Sequence, residues 1–250
     1  MKSKAAHARL DLLLVERGLA ASQQEAQAKI LAGEVQVNGA RAEKPGLRVP
    51  ADARIEVGSR NLKYASRGGF KLAGALEDFS VNPANLICLD VGSSTGGFAD
   101  CLLQRGAAKV YAVDVNVSQL AWKLRQNPRV IPIKRNARAL KSDDLPELVH
   151  LVVVDVSFIS IGKILGPASA CARPGADFLL LIKPQFELPR GDVGPGGIVT
   201  DSRLHEKAIA SVKKAAGDAG FVCLQVRASR LPGAEGNQEF FLHARKPHLK

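Results

Sequence analysis

Residues 86–97 read Leu-Ile-Cys-Leu-Asp-Val-Gly-Ser-Ser-Thr-Gly-Gly, and the rest of the chain is arranged around them. The apolar run 86–91 is short and is followed at once by turn residues, a pattern typical of a strand buried in a parallel sheet. Gly92, Gly96 and Gly97 allow a sharp turn and a close approach of a ligand. Residues 98–103 then predict a helix. A strand, a glycine-rich turn and a helix N-terminus together predict a cofactor pocket.

The glycine spacing indicates which cofactor fits this turn. It is Gly-x-Ser-x-Gly-Gly, whereas dinucleotide enzymes carry Gly-x-Gly-x-x-Gly, and it lacks the Gly-Lys-Ser/Thr end of a phosphate loop. The next predicted strand, 110–113, ends in Asp114, about 20 residues after the turn, where a ribose-hydroxyl acceptor is usual. S-adenosylmethionine therefore fits better than NAD. One alternative is a plain strand-to-helix turn that binds no cofactor. The other is an NAD-type oxidoreductase, which the sequence disfavours because no histidine or tyrosine for hydride transfer lies near the predicted strand ends.

Strands and helices continue to alternate downstream of this turn. Further strands are predicted at 130–133, 151–154, 178–182, 221–226 and 237–244, and a helix at 204–219. Upstream of the turn, a helix is predicted at 72–79, with Lys71 at its exposed start. The segment 185–200 is rich in Gly and Pro, which predicts an irregular loop over the site. This alternation predicts a Rossmann-like, doubly wound α/β sheet, with the last strand antiparallel because the connection before it is too short for a helix. Ligands of such sheets lie beyond the carboxyl ends of the strands, where Asp155 and Lys183 fall. Either residue alone fits a salt bridge equally well, but together they favour catalysis.

Residues 1–58 form a separate small domain in this interpretation, with a linker at 59–66 and the large domain at 67–250. Two helices are predicted, the second introduced by Ser22 and Glu25 as a capping box, followed by a hairpin turn at Asn38-Gly39. Basic residues among two helices and small strands favour an RNA-binding module over a generic α/β fragment. Seven residues of the chain are predicted to contact RNA: Arg9, Arg17, Lys29, Asn38, Arg67, Lys134 and Arg135.

Composition limits the function classes. The net charge is +11, which favours polyanionic partners, and residues 123–141 hold seven Lys or Arg and no Asp or Glu. The four cysteines are widely spaced in apolar surroundings, so we interpret them as reduced core residues of a cytoplasmic protein and expect no metal site. No apolar run is long enough to span a membrane, and the first 19 residues lack a signal-peptide core.

Five motifs resemble one enzyme family. They read SRGGFKL, LDVGSSTGGF, VVVDVSFIS, LIKPQFE and GNQEFF, and together they are similar to the TlyA family of ribosomal RNA 2'-O-methyltransferases, which is also described as hemolysin-like and belongs to the FtsJ-like methyltransferases. The segment LDLLLVERGLAASQQEAQAKILAGEVQVNG resembles the RNA-binding module named after ribosomal protein S4, although Gln23 stands where that family usually has arginine. The resemblance covers nearly the whole chain.

The resemblance implies methyl transfer from S-adenosylmethionine to the ribose 2'-hydroxyl of a cytidine in ribosomal RNA, presented free or in a ribosomal subunit, without metal or membrane. The family's catalytic tetrad falls on Lys71, Asp155, Lys183 and Glu239. The implied cofactor-binding residues are Gly92, Ser94, Thr95, Gly96, Gly97, Asp114, Asn136, Ala137, Asp155 and Phe158. The short tail after Glu239 favours large-subunit RNA as the target.

Two other kinds of function stay open from the sequence. A non-catalytic RNA-binding or ribosome-assembly factor would keep the basic module but would need neither Asp155 nor Lys183. A hemolysin-like, membrane-active protein would need an amphipathic or spanning stretch, and none is evident. The protonation of Lys183 is also open, because Asp155 favours the ammonium form whereas Lys71 disfavours it.

Overall fold

A computed structural model describes residues 7–57 and 63–248. The N-terminal module contains two helices and five short strands. In chain order these are β1 (His7–Arg9), α1 (Leu10–Glu16), α2 (Gln23–Ala32), β2 (Val35–Val37), β3 (Ala40–Arg41), β4 (Arg48–Pro50) and β5 (Ile55–Val57). β1 pairs with β4, while β2 lies between β3 and β5 in a second small sheet. The predicted order of two helices followed by small strands is confirmed, apart from the short leading strand β1.

Local sequence signals set the bounds of α2. Ser22 Oγ accepts a hydrogen bond from the backbone N–H of Glu25 at 3.2 Å, as the predicted capping box requires. The Glu25 carboxylate accepts from the N–H of Ala21 rather than from that of Ser22, so the box closes one residue earlier than expected. Gly33 ends the helix in the left-handed conformation, with φ of 75°. The expected hairpin at Asn38-Gly39 joins β2 to β3.

The second domain follows the predicted alternation. Its helices and strands are α3 (Arg67–Asp78), β6 (Ile87–Val91), α4 (Gly97–Gln104), β7 (Lys109–Asp114), α5 (Trp122–Arg125), β8 (Val130–Lys134), β9 (Val149–Val154), α6 (Gly162–Ala170), β10 (Ala172–Ile182), α7 (Pro184–Glu187), α8 (Ser202–Asp218), β11 (Val222–Ala228) and β12 (Phe240–Arg245). They build a seven-stranded sheet in the order β11-β12-β10-β9-β6-β7-β8.

Strand directions agree with the prediction of a mostly parallel sheet. β10, β9, β6, β7 and β8 run parallel to one another. β12 is antiparallel to both β10 and β11, as expected for the last strand. The sheet therefore presents the carboxyl ends of β6, β7, β9 and β10 at one edge, which is where ligands of doubly wound sheets bind.

Apolar layers cover both faces of the sheet. Leu89 and Val91 of β6 pack on one face, and Cys88 packs on the other. Side chains of a strand point alternately to the two faces, so a strand buried on both sides must be apolar almost throughout. This requirement explains why the run 86–91 carries a single charged residue, Asp90, which is fully buried.

Two elements differ from the prediction. α3 begins at Arg67, not near residue 72, so Lys71 lies inside the helix and is buried rather than at its exposed start. The segment 185–200 was expected to be irregular, and it contains the short helix α7 and two 3-10 turns, 190–192 and 195–197. No helix among the described residues is long and apolar enough to cross a membrane.

Ion pairs join the module to the second domain. Arg67 lies 3.0 Å from Glu43, and Lys44 lies 2.9 Å from Glu235. Residues 59–62 of the predicted linker lie outside the described residues, and only 63–66 are seen. The division at residues 58 and 66 stays a prediction.

Candidate active site

The glycine-rich turn is fixed to the ends of two strands. The backbone N–H groups of Gly92 and Ser93 donate to the carbonyl of Val113 at 2.9 and 3.1 Å. Gly92 has a φ of +86°, and a Cβ at this position would lie 2.2 Å from the carbonyl oxygen of Asp155. Only glycine fits there, because both the backbone conformation and the close approach to β9 exclude a side chain. The turn therefore opens toward the shared edge of β6, β7 and β9.

A cavity of about 570 Å³ lies beside this turn and collects most of the predicted cofactor-binding residues. Those that line it are Gly92, Ser94, Asp114, Asn136, Ala137, Asp155 and Phe158. We call it the donor cavity, after the methyl donor that these residues are predicted to bind. Thr95 and Gly97 face a neighbouring cleft instead, and Gly96 lines neither space but serves as the N-cap of α4. The side chain of Phe158 is 90% exposed at the rim, so it is an open edge of the cavity rather than a closed wall.

The Asp114 carboxylate links the turn to β7. One oxygen accepts from the N–H of Ser94 at 2.9 Å, and the other accepts from the N–H of Asn116 at 2.9 Å. Each carboxylate oxygen has a second lone pair, so both remain able to accept from ribose hydroxyls. The carboxylate can thus hold a nucleoside and fix the glycine turn at once.

Three carboxyl groups surround the glycine-rich turn. They are Asp90 of β6, Asp114 at the end of β7 and Asp155 directly after β9. Burial raises the pKa of Asp90 well above its ordinary value, and the charges of Asp155 and Asp114 raise it further. The N–H of Ala99 opposes these effects only in part. A cationic ligand would relieve the repulsion among these carboxyl groups, so the turn favours such a ligand. S-adenosylmethionine carries a sulfonium and an ammonium group, so the residues present fit it.

Lys71 reaches the site because α3 and α4 approach each other through glycine. A Cβ on Gly69 would lie 2.8 Å from the carbonyl oxygen of Gly97. This contact lets α3 pack beside the glycine turn and points Lys71 toward β12, where its Nζ lies 2.5 Å from Glu239 Oε2. Lys71 is 8% exposed and Glu239 is 2% exposed, so the pair is a buried one.

Lys183 and Asp155 form a second ion pair at the ends of the adjacent parallel strands β10 and β9. Their charged atoms are 2.6 Å apart, and Lys183 Nζ also donates to Ser157 Oγ at 3.0 Å. Burial alone would lower the pKa of Lys183, but the carboxylates of Asp155 and Glu239 outweigh it and raise that pKa above its ordinary 10.5. The ammonium form is therefore the resting one.

Electrostatics couple the two pairs into one cluster. Burial raises the pKa of Glu239, whereas Lys71 and Lys183 oppose that rise. Lys71, Asp155 and Lys183 all line a cleft of about 260 Å³ that adjoins the donor cavity. We call it the catalytic cleft. The two spaces share Gly92, Ser94, Asp155 and Ser157, so they adjoin along these residues.

Sequence reasoning missed three supporting residues. Ser157 binds Lys183, as described above. Glu187 accepts from Ser160 Oγ at 2.6 Å and from the N–H of Ile161 at 2.9 Å, which ties the segment after Asp155 to the segment after Lys183. Asn237 is buried and bonds the backbone of Gly197 and Val199. The motifs VSFIS, KPQFE and GNQE contain these residues, but a motif does not show which of its polar groups face each other.

Most of the predicted RNA contacts carry protein partners in the structure. Three of them form ion pairs: Arg9 with Asp11, Arg67 with Glu43, and Arg135 with Asp144. Arg17 donates to the backbone carbonyls of Ala51 and Ala53, and Lys29 donates to the carbonyl of Leu19. The Asn38 side chain accepts a hydrogen bond from the backbone N–H of Arg54. Lys134 is exposed at the end of β8. These seven residues are spread over both domains, and their contact with RNA stays a prediction.

Asp114→Ala is expected to weaken the affinity for S-adenosylmethionine by roughly 10- to 150-fold, because hydrogen bonds to a charged group contribute about 1.5–3 kcal/mol. Titration calorimetry with S-adenosylhomocysteine measures this change. Asp114→Asn keeps one acceptor oxygen and should lose less. Unchanged affinity in the alanine variant would show that the donor cavity does not hold the nucleoside at Asp114.

Comparison with known proteins shows the family of this chain. The FtsJ-like methyltransferase family matches residues 64–246, and the S4 domain matches residues 8–55. The 16S/23S rRNA (cytidine-2'-O)-methyltransferase TlyA of Mycobacterium tuberculosis is 46% identical over 96% of this chain and 91% of its own length. Hemolysin A of Brachyspira hyodysenteriae is 43% identical over 94% of this chain and 98% of its own length.

Solved structures give the same result. A hemolysin-named protein of Streptococcus thermophilus superimposes with a TM-score of 0.74 at 38% identity, covering 97% of this chain and 90% of that chain. An S-adenosylmethionine dependent methyltransferase of Mesorhizobium loti has a TM-score of 0.53 at 16% identity, covering 70% of this chain and 98% of that chain, and shows the fold alone. The chain therefore belongs to the FtsJ-like methyltransferases, in the TlyA branch of that family, and carries an S4 domain ahead of the methyltransferase domain.

Proposed function

We propose that this protein transfers a methyl group from S-adenosylmethionine to the ribose 2'-hydroxyl of a cytidine in ribosomal RNA. The observation that carries the proposal is the pair of ion pairs, Lys71–Glu239 and Lys183–Asp155, gathered at a cleft that adjoins the donor cavity. The names of the M. tuberculosis and Campylobacter jejuni relatives, both rRNA (cytidine-2'-O)-methyltransferases, support the same reaction.

The chemistry explains why this arrangement suffices. When bound, S-adenosylmethionine supplies an activated methyl group on a sulfonium. The protein must therefore align a ribose oxygen with that group and dispose of one proton. The two spaces share Gly92 and Asp155, so a ribose hydroxyl in the catalytic cleft would lie next to a methyl donor in the donor cavity. Alignment across this short boundary is the main contribution of the fold.

Each charged residue has a distinct role in this scheme. The Lys183 ammonium donates a hydrogen bond to the 2'-oxygen, orients it and stabilises the negative charge that develops there. The 2'-hydroxyl proton passes to the carboxylate of Asp155, which lies against that ammonium at 2.6 Å. Glu239 holds Lys71 at the wall of the cleft, where Lys71 adds positive charge toward the RNA backbone. The proton balance closes, because the carboxylate gains the proton that the hydroxyl loses.

The N-terminal module would dock the RNA. The net charge of +11 and the predicted contacts Arg9, Arg17, Lys29 and Asn38 support this role, together with Arg67, Lys134 and Arg135 on the second domain. A protein that modifies ribosomal RNA would act in the cytoplasm, where ribosomes are assembled.

The test is transfer of labelled methyl from S-adenosylmethionine to purified large subunits, small subunits and protein-free ribosomal RNA. We expect label in at least one of them, recovered as 2'-O-methylcytidine after digestion to nucleosides. Label in a base, or in no RNA, would refute ribose methylation. A non-catalytic assembly factor would bind RNA in this assay and incorporate nothing.

A further inference from the structure

A groove separates the N-terminal module from the methyltransferase domain. Its volume is about 580 Å³, and α2 supplies one wall while residues 117–125 supply the other. We call it the interdomain groove. The α2 wall carries Glu25, Lys29 and Glu34, and the facing wall carries Trp122 and Arg125. Neither the donor cavity nor the catalytic cleft includes Trp122 or Arg125.

Trp122 is unusually placed for its type. It is the one tryptophan of the chain, and it is 69% exposed at the first position of α5. Large aromatic side chains are usually highly buried, so an exposed indole that lines a groove is typical of a binding surface. An indole face offers stacking to any nucleobase, because every base has a π-face.

The charge beside this indole fits a phosphate. Arg125 lies on the same wall of the groove, and within residues 7–57 and 63–248 its guanidinium has no hydrogen-bond or ion-pair partner. On the facing wall, Glu25 is paired with Lys29 at 2.9 Å. The wall with Trp122 is therefore the cationic one, and it begins the basic block 123–141. A free guanidinium three residues from an exposed indole suits one nucleotide, with its phosphate on the cation and its base on the ring.

The interdomain groove continues into the catalytic cleft. Thr95 lines both spaces, and Ala65 of the groove adjoins Ser66 of the cleft along the chain. Neighbouring nucleotides of a strand whose ribose enters the cleft can therefore reach the groove without crossing the core of either domain.

We propose that the interdomain groove binds an unpaired RNA nucleotide near the one that is modified, with its base stacked on Trp122 and its phosphate on Arg125. The proposal rests on the proposed function in one respect, namely that the substrate is RNA. It assigns Trp122 as a substrate-positioning residue outside the tetrad. It also gives the S4 module a second role, because α2 closes the groove opposite the indole.

Tryptophan fluorescence of the full chain, excited where tyrosine does not absorb, tests this directly, because Trp122 is the one tryptophan of the chain. We expect a single-stranded oligoadenylate to quench this emission saturably. An RNA duplex of the same nucleotide content should quench it weakly, because its bases are already stacked. Saturable binding of the single strand without any change in emission would overturn the proposal. A change in Trp122 emission with protein concentration, in the absence of RNA, would also overturn the proposal. The groove would then be occupied by another copy of the chain.

Two variants sharpen the test. Trp122→Ala is expected to weaken oligoadenylate binding roughly 5- to 150-fold and to raise KM for ribosomal substrate, while Trp122→Phe retains most of the affinity. Leu148→Ala is the matched control, an exposed apolar residue before the start of β9 at the opposite edge of the sheet. Binding by Trp122→Ala within about twofold of the unsubstituted chain would overturn the proposal. If the unsubstituted chain transfers no methyl group, the proposed function is refuted. Saturable quenching of Trp122 emission by RNA would still support the groove proposal in that case.

Discussion

Lys183→Ala is expected to reduce methyl transfer by roughly 10²- to 10⁴-fold and to leave the affinity for S-adenosylmethionine nearly unchanged. The reason is position: Lys183 lines the catalytic cleft but not the donor cavity. Removing its ammonium withdraws the stabilisation of the developing alkoxide without touching the glycine turn. Single-turnover rates with saturating S-adenosylmethionine, together with calorimetric titration of the cofactor, measure the two quantities separately.

The pH dependence distinguishes the charged role of Lys183 from a base role. Because the pKa of Lys183 is raised, the ammonium form persists through neutral and mildly alkaline pH and is lost only as pH rises through that higher value. The rate should therefore stay level from about pH 7 to about pH 9. A lysine acting as base would instead give a rate that climbs tenfold per pH unit over this range, and such a climb would contradict the charged role.

Lys246→Ala is the matched control for Lys183→Ala. This lysine is also partly buried, and it donates to the carbonyls of Ser169 and Ala172 at the far end of the sheet. Removing the Lys246 side chain should lower the stability of the fold without changing the catalytic cleft. Loss of activity in Lys246→Ala comparable with that in Lys183→Ala would mean that the assay reports folding rather than chemistry.

Glu239→Ala is expected to destabilise the protein by about 3–5 kcal/mol and to abolish methyl transfer. The substitution leaves the Lys71 ammonium buried without its partner at 2.5 Å. Breaking a buried pair on one side costs much more than replacing both partners. The double variant Lys71→Met with Glu239→Leu should therefore regain most of the stability while staying inactive. Denaturant unfolding monitored by circular dichroism gives the stability, and the methyl-transfer assay gives the activity.

Lys214→Ala serves as the control for this second prediction. Lys214 pairs with Asp218 on the exposed surface of α8, where an ion pair contributes little. We expect a change within about 0.5 kcal/mol. Activity in the double variant Lys71→Met with Glu239→Leu would show that this pair is structural and would remove it from the catalytic cluster.

The strand-end residues were predictable from the sequence, because their place depends on local pattern alone. Alternating strands and helices predict a parallel sheet, and a polar residue directly after an apolar run then lies at its carboxyl edge. Asp155 and Lys183 follow this rule. Asp114 also follows this rule. The hydrogen bond between its carboxylate and the N–H of Ser94, in contrast, could not be predicted from the pattern. The antiparallel direction of β12 was also predictable, since its connection is too short for a crossover helix.

The pairing of Lys71 with Glu239 was not predictable from local pattern. The two residues are 168 positions apart, and their contact depends on the approach of Gly69 to Gly97 and on the insertion of β12 between β10 and β11. The sequence also placed Lys71 at an exposed helix start. Because α3 begins at Arg67, four residues earlier, that lysine turns toward the interior.

Charge alone does not show which cations of the basic module are free to contact RNA. Arg17 and Lys29 are cations of that module, and each also donates to its backbone carbonyls. A sequence shows which residues are cationic and not whether protein groups already occupy them. Trp122 shows the converse. Its type suggests a core residue, and only the structure reveals an exposed ring over a groove.

Nucleotide-resolution mapping of 2'-O-methylation tests the central claim most directly. Ribosomal RNA is compared from cells that carry this protein, cells that lack it, and cells that carry only Lys183→Ala. We predict that at least one cytidine is ribose-methylated in the first and unmethylated in the other two. Identical maps from all three would contradict the account.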